Sequence, residues 1–473
     1  MPKRNLFVLL MMFAIAGVAW LARDRDGHGR RFAEVLGTIE RSYLEPVNQQ
    51  SLFDAAMEGV FSRLDEHSAF VTGERREQFE SLLDQQFGGV GLELVEGGDP
   101  RTISVVSPVL SGPAWQAGIA TGDQILAIDD VPTRQMKLTE VFRRLRGKPG
   151  TAVGLSIAAA VAAASTDNSP TAPARDVQLV REVVKTESVL GDRRRQDGSW
   201  EWAIEGEPAA AIIRIQTFGE RTADEVRRAV EAIATQFIDG ADRADEDRTG
   251  QVAPPHGMLI VDLRGNAGGL LTAAVDVCDI FLDDGVIVST RGRGVHNAVQ
   301  AGDDAVALDI RRATRGVALA DLPMAVLVDG LTASAAEVMA ACLQDHGRAI
   351  VVGSQSFGKG TVQSIQPLSD NSGLVKLTTA EYLRPSRVNI HRRNDDDFHD
   401  TWGVRPNSGC EITPNGRQIE AVRAWRQARD VVPAKAGVVG AEPPQSHATL
   451  PRQIDLVLAA GLEALTARRQ SQP

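Results

Sequence analysis

Residues 258–282 read MLIVDLRGNAGGLLTAAVDVCDIFL. The run Met258 to Val261 is short, apolar and stopped by a turn, the pattern of a buried strand. Gly265-Asn266-Ala267-Gly268-Gly269 follows, and Leu270 to Leu282 is long enough for a helix. The same order recurs downstream: Met324 to Val328 predicts a strand, Ala335 to Asp345 a helix, and Ala349 to Val352 another strand. Strands that alternate with helices predict an α/β core around a largely parallel sheet.

Outward from this core the texture changes. Residues 31–86 carry helical periodicity, with Phe32, Val35, Leu36, Ile39 and Tyr43 on one face and Leu52, Ala55, Ala56, Val60 and Leu64 on another. From Phe87 to residue 157 short β-type runs are broken by glycine, and one helix, Leu138 to Leu145, interrupts them. Residues 158–175 are rich in Ala, Ser, Thr and Pro and read as a flexible insertion. A second insertion spans 239–255 and is charged. Residues 416–473 read as a linker that ends in an amphipathic helix, Ile454 to Leu465.

A chain of 473 residues predicts two or three domains. Its 51 basic and 62 acidic residues leave a net charge of −11, which argues against a nucleic-acid partner. Cys278, Cys342 and Cys410 are too few for a disulfide framework, and none has the spacing of a metal site. No metal and no cofactor is expected. At the N-terminus, Lys3 and Arg4 precede the uncharged run Leu6 to Ala22, and Arg23-Asp24-Arg25-Asp26 follows it. This is the pattern of a signal sequence. As a helix the run would reach roughly 26 Å, close to the hydrocarbon thickness, so it can also serve as an anchor. Gly17-Val18-Ala19 offers a cleavage site. Either outcome predicts an extracytoplasmic, periplasmic body, in the second case tethered to the inner membrane by residues 6–22.

Three stretches carry chemistry. In Val328-Asp329-Gly330-Leu331-Thr332-Ala333-Ser334-Ala335-Ala336-Glu337 a strand ends and Ser334 sits at the start of a helix. Serine is a preferred N-cap, which is one reading. The other is that the free N–H groups of the helix N-terminus suit an oxyanion formed at Ser334. A serine nucleophile needs a base. There is no Gly-x-Ser-x-Gly elbow, and His67, His256, His296 and His346 lack a serine-and-acid setting. The second stretch, Gly353-Ser354-Gln355-Ser356-Phe357-Gly358-Lys359-Gly360-Thr361-Val362-Gln363, places a lysine in a glycine-flanked apolar turn. Burial there would disfavour the ammonium, as a lysine base requires. The stretch falls short of a phosphate-binding loop, because Gly360 stands where the magnesium-binding hydroxyl belongs and a strand pattern follows. The third stretch, Val261 to Gly269, is either a plain strand-to-helix turn or the source of an oxyanion donor. In the second case a Gly268 or Gly269 N–H pairs with that of Ala335.

Together these stretches resemble the carboxyl-terminal processing (tail-specific) serine peptidases, from about Phe32 to Ile412. The spacing of Ser334 and Lys359, Leu343-Gln344-Asp345-His346-Gly347-Arg348-Ala349 and Leu64-Asp65-Glu66-His67-Ser68 carry the likeness. The resemblance implies Ser334 as nucleophile, Lys359 as general base and Gln363 positioning the lysine. It also implies a multidomain α/β protein with a ClpP/crotonase-like core at 186–415, an inserted PDZ domain at 87–185 and the N-terminal helical segment. Asp345 is then a structural acid. Phe87-Gly88-Gly89-Val90-Gly91-Leu92 resembles a PDZ carboxylate loop, where Gly89, Val90, Gly91 and Leu92 would hold a C-terminal carboxylate. The expected partners are proteins with apolar C-terminal tails, and residues 31–86 could join two copies or simply pack. Three features depart from the family pattern: Asp329-Gly330-Leu331-Thr332 before the serine, the 158–175 insertion, and the charged loop 391–400. That loop reads as solvated or, through its acids and His399, as a divalent-ion site. The alternative to a peptidase is an inactive PDZ adaptor that binds tails; a crotonase-type acyl-transfer enzyme would need a coenzyme site.

Overall fold

The computed structural model describes residues 27–97, 101–159, 174–245, 257–292, 307–314, 322–370, 372–393, 402–435 and 454–470. The segment 6–22 lies outside them; among the described residues no helix is long and apolar enough to cross a membrane. Two compact units emerge, Met1–Gly73 with Gln363–Thr378, and Glu74–Val362 with Thr379–Pro473.

In the first unit, α1 (Gly27–Ser42) and α2 (Gln49–Phe61) are followed by β1 (Ala69–Thr72). Asn48 starts α2 by accepting N–H bonds from Gln50 (2.8 Å) and Ser51 (3.3 Å). Neither helix buries a residue completely. The edge of Phe53 meets the ring of Phe70, which also stacks on Phe61. A strand therefore interrupts the stretch expected to be helical throughout: Ala69-Phe70-Val71-Thr72 pairs antiparallel with Gly373–Lys376. Its β-branched and aromatic content favours that state.

In the second unit α3 (Gly73–Asp84) leads into the expected 87–185 domain. Its two ends, β2 (Gln86–Gly89) and β8 (Glu182–Lys185), pair antiparallel and close it like a clasp. Between them β3 (Leu92–Gly97), β4 (Thr102–Pro108), β5 (Gln124–Ile128), β6 (Ala152–Ala158) and β7 (Arg175–Val180) form one antiparallel sheet in sequence order. Along β4 burial alternates, Ile103 and Val105 pointing inward, as a sheet with one wet face requires. Helix α4 (Leu138–Leu145) buries Val141 and Leu145 against Ile125, Ile128, Val153 and Leu155. Each such side chain stabilises the domain by about 1.5–3 kcal/mol, so an aspartate at Val141 would break it. The 158–175 insertion joins the hairpin β6–β7, whose register pairs Ile157 with Arg175; residues 160–173 are outside those described.

The core sheet holds β9 (Val189–Leu190), β10 (Glu207–Ile215), β11 (Met258–Asp262), β14 (Met324–Val328) and β15 (Ala349–Gly353) in that order, the last four parallel. Both faces are apolar, as expected of a parallel sheet. Ile213, Val261 and Val326 face the helices α5 (Thr222–Asp245), α6 (Leu271–Phe281) and α7 (Ala335–Asp345). Ile212, Ile260 and Leu327 face the C-terminal helix. A second sheet pairs β12 (Val286–Gly292) with β13 (Ala307–Arg312), and with the last residues of β17 (Gly373–Leu383), which follows β16 (Thr361–Pro367).

Three expectations are corrected. Helix α5 runs on to Asp245, into the stretch read as an insertion from 239. Residues 416–430 form helix α8 (Gly416–Asp430) where only a linker was expected. Asn415 and Gln418 cap it reciprocally (3.1 and 2.8 Å), and the Arg426 and Arg429 side chains meet the buried Asp192. The final helix, α9 (Leu456–Gln470), is part of the core: Val457, Leu458, Leu462 and Leu465 are buried, and Gly461 lets it lie close on Ile260 and Leu327.

Candidate active site

Three loops leave the carboxyl ends of β11, β14 and β15, where open α/β sheets place their sites. The loop after β11 and the loop after β14 are joined three times. Ala333 N–H donates to Asn266 O (2.9 Å), Gly265 N–H to Asp329 Oδ1 (2.9 Å), and the Thr332 hydroxyl to Leu263 O (2.9 Å). Asp329 and Thr332 thus hold the serine loop to its neighbour. Phe357 N–H donates to Thr332 O (2.9 Å) and brings in the third loop.

Ser334 opens α7 with φ 56° and ψ −120°. An ordinary N-cap residue is extended, so this geometry disfavours a plain cap. A non-glycine residue in such a region carries about 1–3 kcal/mol of strain that its surroundings must hold. The holding group is Glu337, fully buried. Its Oε2 accepts the N–H of Ser334 and the N–H of Lys359, each at 2.8 Å, so the two nitrogens lie within twice that distance of each other. Its Oε1 accepts the Ser356 hydroxyl (2.5 Å) and Gly358 N–H (2.7 Å). Burial outweighs these four bonds and pushes the carboxyl above its ordinary range. On the carbonyl side, the Tyr382 hydroxyl contacts both Ser334 O (3.1 Å) and Lys359 O. Ser334 and Lys359 are thus brought together through their backbones. Sequence reasoning missed both clamping residues; Ser-x-x-Glu was visible as a helix-start pattern, whereas Tyr382 carried no signal.

The oxyanion expectation narrows. Gly268 N–H donates to Asn266 Oδ1 (2.8 Å), which corrects Gly268 as a donor. Among the described residues the N–H groups of Gly269 and Ala335 meet no acceptor. Gly268 matters sterically instead: at φ 100° a Cβ there would lie 2.8 Å from Ser334 Cβ and from Ala333 O.

Gln363 belongs to the other compact unit, where its amide donates to Thr378 Oγ1 (3.2 Å). There Asp65 accepts from Thr378 Oγ1 (3.0 Å), His67 N–H (2.8 Å) and the Ser68 hydroxyl (2.7 Å), so Leu64-Asp65-Glu66-His67-Ser68 builds a turn. Asp345 pairs with Arg384 through two bonds, 2.6 and 2.9 Å, and also accepts Ser386 N–H. Residues 394–400 of the charged loop lie outside those described. In the 87–185 domain, Gly89 ends β2, Leu92 begins β3, and Gly91 turns between them at φ 73°. The carbonyls of Val90 and Gly91 are taken by Ala114 and Val109; among the described residues the N–H groups of Val90 and Gly91 are not taken. A cleft of about 840 Å³ at the same end of the core sheet is lined by Arg264, Asp329 and Leu331 of the core and by Glu93 and Ser107 of this domain.

Comparison with known proteins gives the family. The profile of peptidase family S41 matches residues 249–408, and a PDZ-domain profile matches residues 105–158. The class defined is a serine peptidase with a PDZ domain. The carboxy-terminal-processing protease of Bartonella bacilliformis is 32% identical over 360 residues, covering 76% of this chain and 72% of that protein. The carboxyl-terminal-processing protease of Picosynechococcus is 32% identical over 323 residues, covering 67% and 66%. The chain belongs to the carboxy-terminal-processing protease family. Among solved structures, the photosystem II D1 C-terminal processing protease is similar at 24% identity and a TM-score of 0.39, with 81% of this chain and 92% of that one covered.

Proposed function

We propose that the chain is an endopeptidase with a Ser334–Lys359 dyad, fed by a PDZ domain that takes hold of the apolar C-terminal tail of its protein substrate. The neutral Lys359 amine removes the Ser334 proton as Oγ attacks the peptide carbonyl. The Gly269 and Ala335 N–H groups hold the oxyanion, and the lysine returns its proton to the departing amine. Water then hydrolyses the acyl-enzyme. Gln363 positions the lysine. In the PDZ domain the amides from Gly89 to Leu92 receive the tail carboxylate.

The observation that supports this reading best is the shared oxygen of Glu337, which accepts from both Ser334 and Lys359. The test incubates the purified chain with a substrate carrying a free apolar tail and with the same substrate amidated at its C-terminus, beside Ser334→Ala and Lys359→Ala. Turnover confined to the unmodified chain, and faster on the free tail, is the expected result. Normal cleavage by Lys359→Ala would sink the dyad. Tail binding with no turnover and no reaction with a serine-directed acylating reagent would make the protein an adaptor. We further assign the body to the extracytoplasmic side with residues 6–22 as leader or anchor. Cell fractionation of the full chain beside one lacking residues 1–22 checks this: the full chain in the cytoplasm would refute the location, and the shortened chain still outside it would refute the leader.

A further inference from the structure

We propose that Tyr382 is a positioning residue for the reaction, its hydroxyl setting the spacing of the Ser334 and Lys359 carbonyls. The proposal rests on the Ser–Lys reading above. Tyr382 lies near the end of β17, paired with Thr290 of β12, and is 2% exposed. Its N–H donates to Gly360 O (3.0 Å), so its backbone also grips the lysine turn. Packing alone would be served by phenylalanine, and burying a phenol oxygen is unfavourable unless it is hydrogen bonded. Among the described residues the hydroxyl finds its partners in the two carbonyls of the proposed catalytic pair, Ser334 O at 3.1 Å and Lys359 O closer. One proton serves two acceptors, so it favours one carbonyl at a time and holds both within its reach. Burial, with the Glu337 carboxylate nearby, pushes the phenol well above its usual range, so it remains a donor through the working pH range.

Glu337 takes the amide of each residue of the pair and Tyr382 the carbonyl of each. Together they fix where the amine of Lys359 starts from relative to the hydroxyl of Ser334. Without the hydroxyl the lysine turn gains freedom and admits water, which favours the ammonium. The base then needs a higher pH to be neutral.

The experiment compares Tyr382→Phe with the unmodified chain in kcat, KM and pH–rate profile, per folded molecule. Loss of the bond predicts a kcat about 10-fold lower, KM within about twofold and the acid limb of the profile moved to higher pH. An unmoved limb, with kcat unchanged or with kcat and thermal stability merely falling together, overturns the proposal. The chain has only two tyrosines, Tyr43 and Tyr382, so 3-fluorotyrosine incorporated into Tyr43→Phe protein gives a single ¹⁹F signal. That signal is expected to shift when Ser334 is acylated and in Lys359→Ala. A signal that stays fixed in both refutes the contact even if Tyr382→Phe fails to fold. Should Ser334→Ala or Lys359→Ala keep turnover, the dyad reading fails, a result separate from any Tyr382 outcome.

Discussion

Replacing Glu337 by glutamine tests the clamp directly. The carboxylate offers acceptors only, and it receives four donors: Ser334 N–H and Lys359 N–H on one oxygen, the Ser356 hydroxyl and Gly358 N–H on the other. An amide keeps one oxygen and sets an NH₂ against the other two donors. Two charge-assisted bonds are lost, a gross cost of about 3–6 kcal/mol. Relief of a buried charge offsets part of it, because burial already holds this carboxyl above its ordinary range. The net destabilisation is about 2–4 kcal/mol, which lowers the melting temperature by about 5–10 °C. Turnover suffers more. If the NH₂ faces Ser334 and Lys359, their amides are pushed apart, and a displacement near 1 Å costs about 100-fold in rate. If it faces Ser356 and Gly358 instead, the lysine turn loses its anchor one residue earlier. The assay is a calorimetric melt together with kcat per folded molecule on a tailed substrate. Turnover within twofold of the unmodified chain, with the melting temperature unmoved, would refute the view that Glu337 holds the pair.

Gly268→Ala sets a Cβ 2.8 Å from that of Ser334 at a backbone angle alanine avoids. Turnover should fall about 100-fold while titrated binding of a tail peptide stays unchanged. Gly91→Val fills space 3.2 Å from Val109 Cβ at φ 73°; KM for a free-tailed substrate should rise about 10-fold, with an untailed peptide cleaved as before. Asp455, buried at the start of α9, meets Arg264 through two 2.8 Å bonds. Burial pushes its carboxyl up, but Arg264 prevails and holds it below the usual range. A depressed carboxyl contributes stability that is present above its unfolded value and lost as pH falls through the folded one. Hydrogen exchange should therefore show α9 opening early below about pH 4, and already at neutral pH in Asp455→Asn; α9 as protected as the core sheet in both would refute this.

The sequence showed β11, β14 and β15 because each is a short apolar run closed by a turn; β9, two residues long, and β10, which carries the buried Arg214, were not read from it. Helix α7 was legible to the residue. Helix α8 was not, although Asn415-x-x-Gln418 is a capping box, because Arg426 and Arg429 make its inner face look solvated. Both arginines are in fact buried on Asp192, a partner more than two hundred positions away, and such pairings have no local trace. Gly268 misled for a related reason: a glycine pair announces unusual backbone angles but not which N–H a neighbouring asparagine will claim.

Ser334 and Lys359 sit on loops that leave adjacent parallel strands, Val328 standing opposite Gly353 in the register. In a Ser–His–Asp site a third side chain orients the base through its ring. A lysine amine on four rotatable bonds has no ring to hold, and a carboxylate placed on it would keep it charged. Much of its orientation can then come from fixing the backbone from which the side chain springs. Glu337 does this by accepting the amides of Ser334, Gly358 and Lys359 and the hydroxyl of Ser356. On the proposed reading, the buried acid serves the lysine base by holding the turn that carries it, its four acceptor sites given to that turn and to the serine amide.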